Sequence, residues 1–397
     1  MRDEIIKPFL QLVRLGLGKS RDTKIFDEAD CAQLKALAEK HGLSAVVLDG
    51  LNAVYDSEFM IQDIWSPNGS KSEETFYQRL SDAALTTCSK HYTLNTRLKL
   101  EWIGEVLQNY EGRYAAYQKA ISSLAGWYNQ HGFKLMVLKG YGLSLNWPNP
   151  KHRPCGDIDI WLFGQQREAD AALGSWFKVQ GSKSGIDNSH HHHTVFEWEG
   201  FTVENHYDFV NVHYGHKNAE LEKVFKELAQ VDSNLVEVNG EKIYLPSANL
   251  HALFLLRHCM QDFASAEMNL RQVLDWAFFV EKHTKEIDWK WLNGVLKEYN
   301  MTDFVNCLNA ICVGNLGFHP AIFGSVQFNP ELKEKVFNNI MNPSFGREEP
   351  QELFKRLVYK YHRWQGNSWK QELCYGDSRW SAFWTGVWNH LLKPKSI

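Results

Sequence analysis

The spacing of apolar positions changes twice along the chain. Up to about residue 130 they recur at three- and four-residue intervals, the period of a helix face. "CAQLKALAEKHG" predicts a helix stopped by Gly42, and "RLKLEWIGEVLQNYEGRYAAYQKAISSLAGWYNQHG" a long, mostly helical stretch stopped by Gly132. "SPNGSKSEE" between them reads as a loop. From 133 to 245 the pattern shortens. "FKLMVLKG" predicts a strand, "YGLSLNWPN" a short helix, "GDIDIWLF" a strand of period two and "QQREADAALGSWFKVQG" a helix. "HTVFEWEG" and "FTVENHYDFV" form a hairpin around Gly200, and "LVEVNGEKIYLP" a second one turning on Asn-Gly. After 246 the helical period returns in "SANLHALFLLRHCMQDF", with Ser247 as N-cap, and in "NLRQVLDWAFFVEKHTKE" and "DWKWLNGVLKEY". The tail "LLKPKSI" reads as disordered. The expected fold class is α+β, a mixed sheet core flanked by helical regions. The expected units are a helical region 1–125, an α/β core 126–245 and a C-terminal helical region 246–397.

Composition narrows the function classes. The 397 residues carry a net charge of −4, which argues against a broadly basic nucleic-acid surface. The 15 tryptophans read as large core and groove residues. Seven scattered cysteines without a CxxC pair fit reduced thiols better than a disulfide framework or zinc site. The N-terminus lacks a signal-peptide pattern, and no stretch approaches the ~18 uncharged apolar residues of a membrane span. A cytoplasmic protein without a membrane partner is the expectation.

Gly156-Asp157-Ile158-Asp159-Ile160 sets two carboxylates into an otherwise apolar strand. Residues i and i+2 share a strand face, so Asp157 and Asp159 point the same way, about 6–7 Å apart along the backbone. In "FTVENHYDFV" the same alternation groups Thr202, Glu204, His206 and Asp208 on one face. If the two strands are neighbours with apolar faces aligned, Glu204 joins the aspartates. Three carboxylates on one surface suit hard cations and two-metal phosphoryl chemistry. Alone, an Asp-x-Asp in an exposed strand equally describes a solvated polar face.

The flanking residues carry more. Leu138-Lys139-Gly140, then Arg153-Pro154-Cys155-Gly156-Asp157-Ile158-Asp159-Ile160, then Val203-Glu204-Asn205-His206 resemble the DNA polymerase β-like nucleotidyltransferase superfamily, and within it the uncharacterised nucleotidyltransferase family. The resemblance covers residues 133–210 and extends loosely into "HALFLLRHCMQDF…LRQVLDW". It implies transfer of a nucleoside monophosphate from a nucleoside triphosphate, such as ATP, to an acceptor, with release of pyrophosphate. It implies Mg2+, two ions, on Asp157, Asp159 and Glu204, with Glu204 ligating an ion or activating the acceptor. Lys139, Gly140, Arg153, Gly156 and His206 would serve the nucleotide. The acceptor stays open among small molecule, protein and RNA.

One departure stands out. The superfamily's usual Gly-Gly or Gly-Ser turn is here Lys139-Gly140-Tyr141. Gly140 still lets backbone approach a phosphate, and Lys139 adds a charge or is an ordinary surface lysine. Arg153 suits a phosphate or a pairing with Asp157. Of His190–His193, the family resemblance implies that one of His192 or His193 faces the site. His251 and His258, at i and i+7, and Arg271 and Asp275, at i and i+4, read first as helix packing and pairing, otherwise as a lid over a cleft. A non-catalytic nucleotide-binding protein remains the alternative. It would show Tyr141 blocking the turn, or one acid salt-bridged away.

Overall fold

The computed structural model describes residues 2–23, 31–59, 96–179, 185–189, 192–212, 216–231, 233–265, 268–324, 327–343 and 351–375. The loop expected at 66–74, the tail from 391, and His190 and His191 lie outside them. Helices α1 (Arg2–Gly16), α2 (Cys31–His41), α3 (Ser44–Phe59) and α4 (Thr96–Val106) come first. A π-type turn, Leu107–Gly112, joins α4 to α5 (Arg113–Gln130). The α/β segment follows as β1 (Met136–Val137), α6 (Tyr141–Ser144), β2 (Ile158–Trp161), α7 (Gln166–Val179), β3 (His193–Trp198), β4 (Phe201–His206), α8 (His216–Val231), β5 (Ser233–Val238) and β6 (Glu241–Pro246). Helices α9 (Ala248–Ser265), α10 (Leu270–His283), α11 (Trp289–Glu298), α12 (Thr302–Gly314), α13 (Pro330–Met341) and α14 (Leu353–Tyr375) complete it.

Turn chemistry sets several of these boundaries. Asn239 and Gly240 both take positive φ, 50° and 87°, as a two-residue hairpin turn needs. Ser247 caps α9, its hydroxyl accepting from the Leu250 N–H at 3.3 Å. The expected "FKLMVLKG" strand is much shorter, only Met136–Val137, because Gly140 turns the chain immediately. The expected long helix carries the π-type turn, which brings Tyr110 inward, where its hydroxyl accepts from the Ser44 N–H at 3.3 Å.

The six strands form one mixed sheet in the order β3-β4-β2-β1-β6-β5. β2 and β4 are parallel neighbours, while β1 runs antiparallel to β2. Alternation along the strands separates two apolar layers. Val137, Ile158, Ile160, Phe201 and Val203 face a layer built with α5 and α7. Met136, Leu138 and Trp161 face the other, shared with α1, α3 and the C-terminal helices. The larger layer therefore draws on residues from all three stretches of the chain. On its side, Trp161 packs on Phe209 at 4.5 Å between ring centroids, and Phe209 on Phe225 and Phe254. No described helix is long and apolar enough to cross a membrane.

Candidate active site

The site begins at the turn after β1. The Leu138 N–H donates to the Asp159 carbonyl at 3.0 Å, which keeps β1 in register with β2 to its end. Gly140 then takes φ 54° and ψ −105°. Tyr117 of α5 lies against this turn. Its hydroxyl donates to the Asp157 carbonyl at 2.8 Å, and a Cβ at position 140 would overlap that hydroxyl. Dihedrals and space both demand glycine. Gly140→Ala is expected to cost about 1–3 kcal/mol in urea unfolding. Gly140→Ala/Tyr117→Phe, which frees the space but not the dihedral, should stay destabilised. Wild-type stability in the double variant would show that space alone restricts the position. Tyr141 turns away into the core, 7 % exposed and 6.3 Å from the Tyr114 ring.

The acids come from neighbouring strands. Asp159 and Glu204 are paired positions of parallel β2 and β4, so they stand side by side on one face. His206 lies two residues beyond Glu204 on that face. One side-chain donor atom each from Asp159, Glu204 and His206 lies within 4.8 Å of the others. Asp157 sits at the exposed entrance to β2, on the same face as Asp159. Across the antiparallel β3–β4 pair, His193 is the partner of His206, with rings 5.5 Å apart, and His192 is 6.3 Å from the same ring.

The cluster is held by charge-assisted bonds. Lys139 Nζ is 2.8 Å from Asp159 Oδ1. His206 Nε2 donates to the same oxygen at 3.1 Å and lies 3.4 Å from Glu204 Oε2. From α9, His258 Nε2 approaches Lys139 Nζ at 3.3 Å and Asp262 Oδ2 at 3.4 Å. Lys139 Nζ also lies 5.8 Å from the Phe254 ring centroid. Sheet and α9 thus form the two walls of the site.

Each group's proton affinity follows from these neighbours. Burial alone would raise the Asp159 carboxyl, but the Lys139 ammonium and His206 outweigh it and hold the acid well below the usual range. The His206 hydrogen bond lowers Glu204, against its burial. Asp157 moves the other way, raised by partial desolvation and by the Glu204 and Asp159 charges. Burial would lower His206, but its bonds to Asp159 and Glu204 raise it above 6.5. Burial, then Lys139, lowers His258. A histidine raised on folding contributes stability that is complete below its unfolded pKa and is lost as pH rises through its folded one. Asp159, lowered on folding, contributes stability above its unfolded pKa that is lost as pH falls. In an NMR titration the His206 ring is therefore expected to titrate above 6.5, and in Asp159→Asn to fall toward or below it. An unchanged midpoint in the variant would contradict the assigned contact.

Residues 74–316 match the family model of the uncharacterised nucleotidyltransferases. The chain belongs to that family. It is also similar to an antigenic nucleotidyltransferase-like protein from Paracoccidioides brasiliensis, at 14 % identity, over 52 % of this chain and 96 % of that one, with a TM-score of 0.32. No curated protein matches the chain.

Within this family member, not every expected residue joins the cluster. Arg153 is buried and pairs with Asp275 of α10 rather than with Asp157, through Nε–Oδ1 at 2.7 Å and Nη2–Oδ2 at 2.9 Å. The Arg271–Asp275 helix pair gives way to this contact, because Asp275 faces inward and also accepts from Trp147 Nε1 at 2.9 Å. Gly156 is exposed, with open space around it. His251 packs in the core 4.9 Å from the Phe279 ring, whereas His258, one face and two turns along, reaches Lys139. Two site neighbours escaped the sequence reading. Asp262 left a faint signal, an acid four residues after His258 on an apolar helix. Tyr117 left none, since nothing local ties it to a turn more than 20 residues later.

Proposed function

We propose that this protein transfers a nucleoside monophosphate from a nucleoside triphosphate to an acceptor hydroxyl, with Mg2+, releasing pyrophosphate. The observation carrying the reading is the side-by-side placement of Asp159 and Glu204 on the face that Asp157 shares. The donor set fits a hard cation. Asp157, Asp159 and Glu204 offer oxygen atoms, and Glu204 and Asp159 both favour the ionised form. These three residues would hold the magnesium, which when bound neutralises phosphate charge and polarises the transferred group. Lys139 supplies a cation beside Asp159 that suits a phosphate oxygen, and Gly140 leaves its backbone bare for close approach. Glu204 takes the acceptor's proton, and His206 keeps that carboxylate oriented. The acceptor oxygen bonds to the α-phosphorus while the bond to the bridging oxygen breaks, and pyrophosphate carries away the electron pair.

One observation favours the non-catalytic alternative: Asp159 already holds Lys139 and His206. A second criterion favours the enzyme, since Tyr141 lies in the core instead of across the turn. Incubation with labelled triphosphates, magnesium and cell extract separates the two. Label is expected to move to an acceptor with the native chain and not with Asp157→Ala/Asp159→Ala. Equal labelling by both proteins would remove the metal assignment.

A further inference from the structure

A cavity of about 430 Å³ opens at the carboxyl ends of β2 and β4, the edge where open α/β sheets place their ligands. Its walls include Trp161, Phe163, Gln166, Arg167, Tyr207 and Lys226, together with the carboxylates of Glu168 and Asp208. The strand register fixes its place relative to the acids. Gly140 and Asp157 lie at one end of β2, and Asp159 with Glu204 in the middle. Trp161, the partner of Met136, lies at the other end on the acids' face, whereas Tyr207, directly after His206, turns to the α7 side, where its hydroxyl donates to Asp170. Asp157 and Trp161 are about 13 Å apart along the strand, and Asp159 and Trp161 about 7 Å. In an in-line displacement the attacking oxygen and the leaving pyrophosphate lie on opposite sides of the phosphorus. With the phosphates at the Lys139–Gly140 turn, the attacking group comes from the cavity's side.

The lining has a specific chemistry. Gln166 is 5 % exposed, and its Nε2 amide has no hydrogen-bond partner among the described residues. A buried amide left unsatisfied is costly, so an acceptor atom facing it, from water or a ligand, completes its hydrogen bonding. The Arg167 guanidinium lies 5.9 Å from the Tyr207 ring centroid and makes no ion pair among the described residues. Lys226, by contrast, is engaged by Asp208 at 2.5 Å. Aromatic faces, a primary amide and a free guanidinium are the groups that receive a base plane, a base edge and a phosphate. The volume suits a small molecule, within the ~300–1,000 Å³ of such sites. The chain's net charge of −4 weighs against a long polyanion.

We propose that this cavity is the acceptor subsite, and that the acceptor is a free nucleotide with a ribose hydroxyl turned toward His206. This rests on the transfer reading above. The ribose oxygen forms the new bond to the α-phosphorus, the bond from that phosphorus to the bridging oxygen breaks, and pyrophosphate leaves with the electron pair. The hydroxyl proton passes to Glu204, and the product is a dinucleotide phosphodiester.

Calorimetric titration of the full chain with AMP, without metal, tests the subsite apart from the reaction. AMP is expected to bind the native protein, and Arg167→Ala or Gln166→Leu to weaken it about tenfold or more, while Asp157→Ala leaves it intact. Arg167 is exposed, so its variant is expected to fold even if the buried Gln166 variant does not. Undetectable AMP binding, unchanged affinity in Arg167→Ala, or equal loss in Asp157→Ala would overturn the proposal. The last would place AMP at the phosphate turn instead. A short oligoribonucleotide that binds more tightly than AMP, with the same Arg167 dependence, would overturn the choice of a free nucleotide. Magnesium–ATP binding, titrated separately, reports the transfer reading: its independence from Asp157 would sink that reading while the AMP result still stood or fell by itself.

Discussion

Nucleotidyl transfer is expected to fall by on the order of 10³-fold or more when Asp157 and Asp159 are both replaced by alanine, because catalysis of this class is almost entirely charge stabilisation and positioning. The two positions differ in what else they do. Asp157 is exposed, and its ionised form is disfavoured by partial desolvation and then by its acidic neighbours, so Asp157→Ala should fold as well as the native chain and lose transfer alone. Asp159 is 6 % exposed and bonded to Lys139 and His206. Removing it strips the Lys139 ammonium of its carboxylate partner, and breaking such a pair costs about 3–5 kcal/mol. Asp159→Ala should therefore lose stability as well as activity. Labelled-transfer rates read beside thermal melting separate the effects. Full activity in a well-folded Asp157→Ala would leave no role for that carboxylate.

A second large effect is expected at Asp275. Its carboxylate takes both forks of Arg153 and the indole N–H of Trp147, all buried. Asp275→Ala strands a guanidinium in the interior, at about 3–5 kcal/mol. Replacing both charges with apolar residues of similar size, Arg153→Met/Asp275→Leu, removes the pair without leaving an orphan and should recover most of that loss. Chemical denaturation of the single and double variants gives the comparison. The double variant also addresses Arg153's role. If it is stable and keeps magnesium–ATP affinity, the arginine ties the approach to β2 onto α10. If affinity collapses while stability returns, the arginine serves the phosphates after all.

The sequence by itself carried the elements and their turns, since those depend on neighbours within a few residues. Helical and period-two spacing located the sheet segment between helical regions. Asn239-Gly240 and Ser247 marked a hairpin and a cap because their backbone and side-chain chemistry acts within three residues. Asp157 and Asp159 were recognisable for the same reason, as one strand face. What the tertiary structure decided are the pairings between distant segments. That Glu204 stands beside Asp159 depends on β4 lying next to β2, which no local pattern states. Arg153 meets Asp275 across 122 positions, and Lys139 meets His258 across 119. Such contacts follow from how whole layers pack to bury their apolar faces, and a single residue's neighbours in the chain carry no record of that choice.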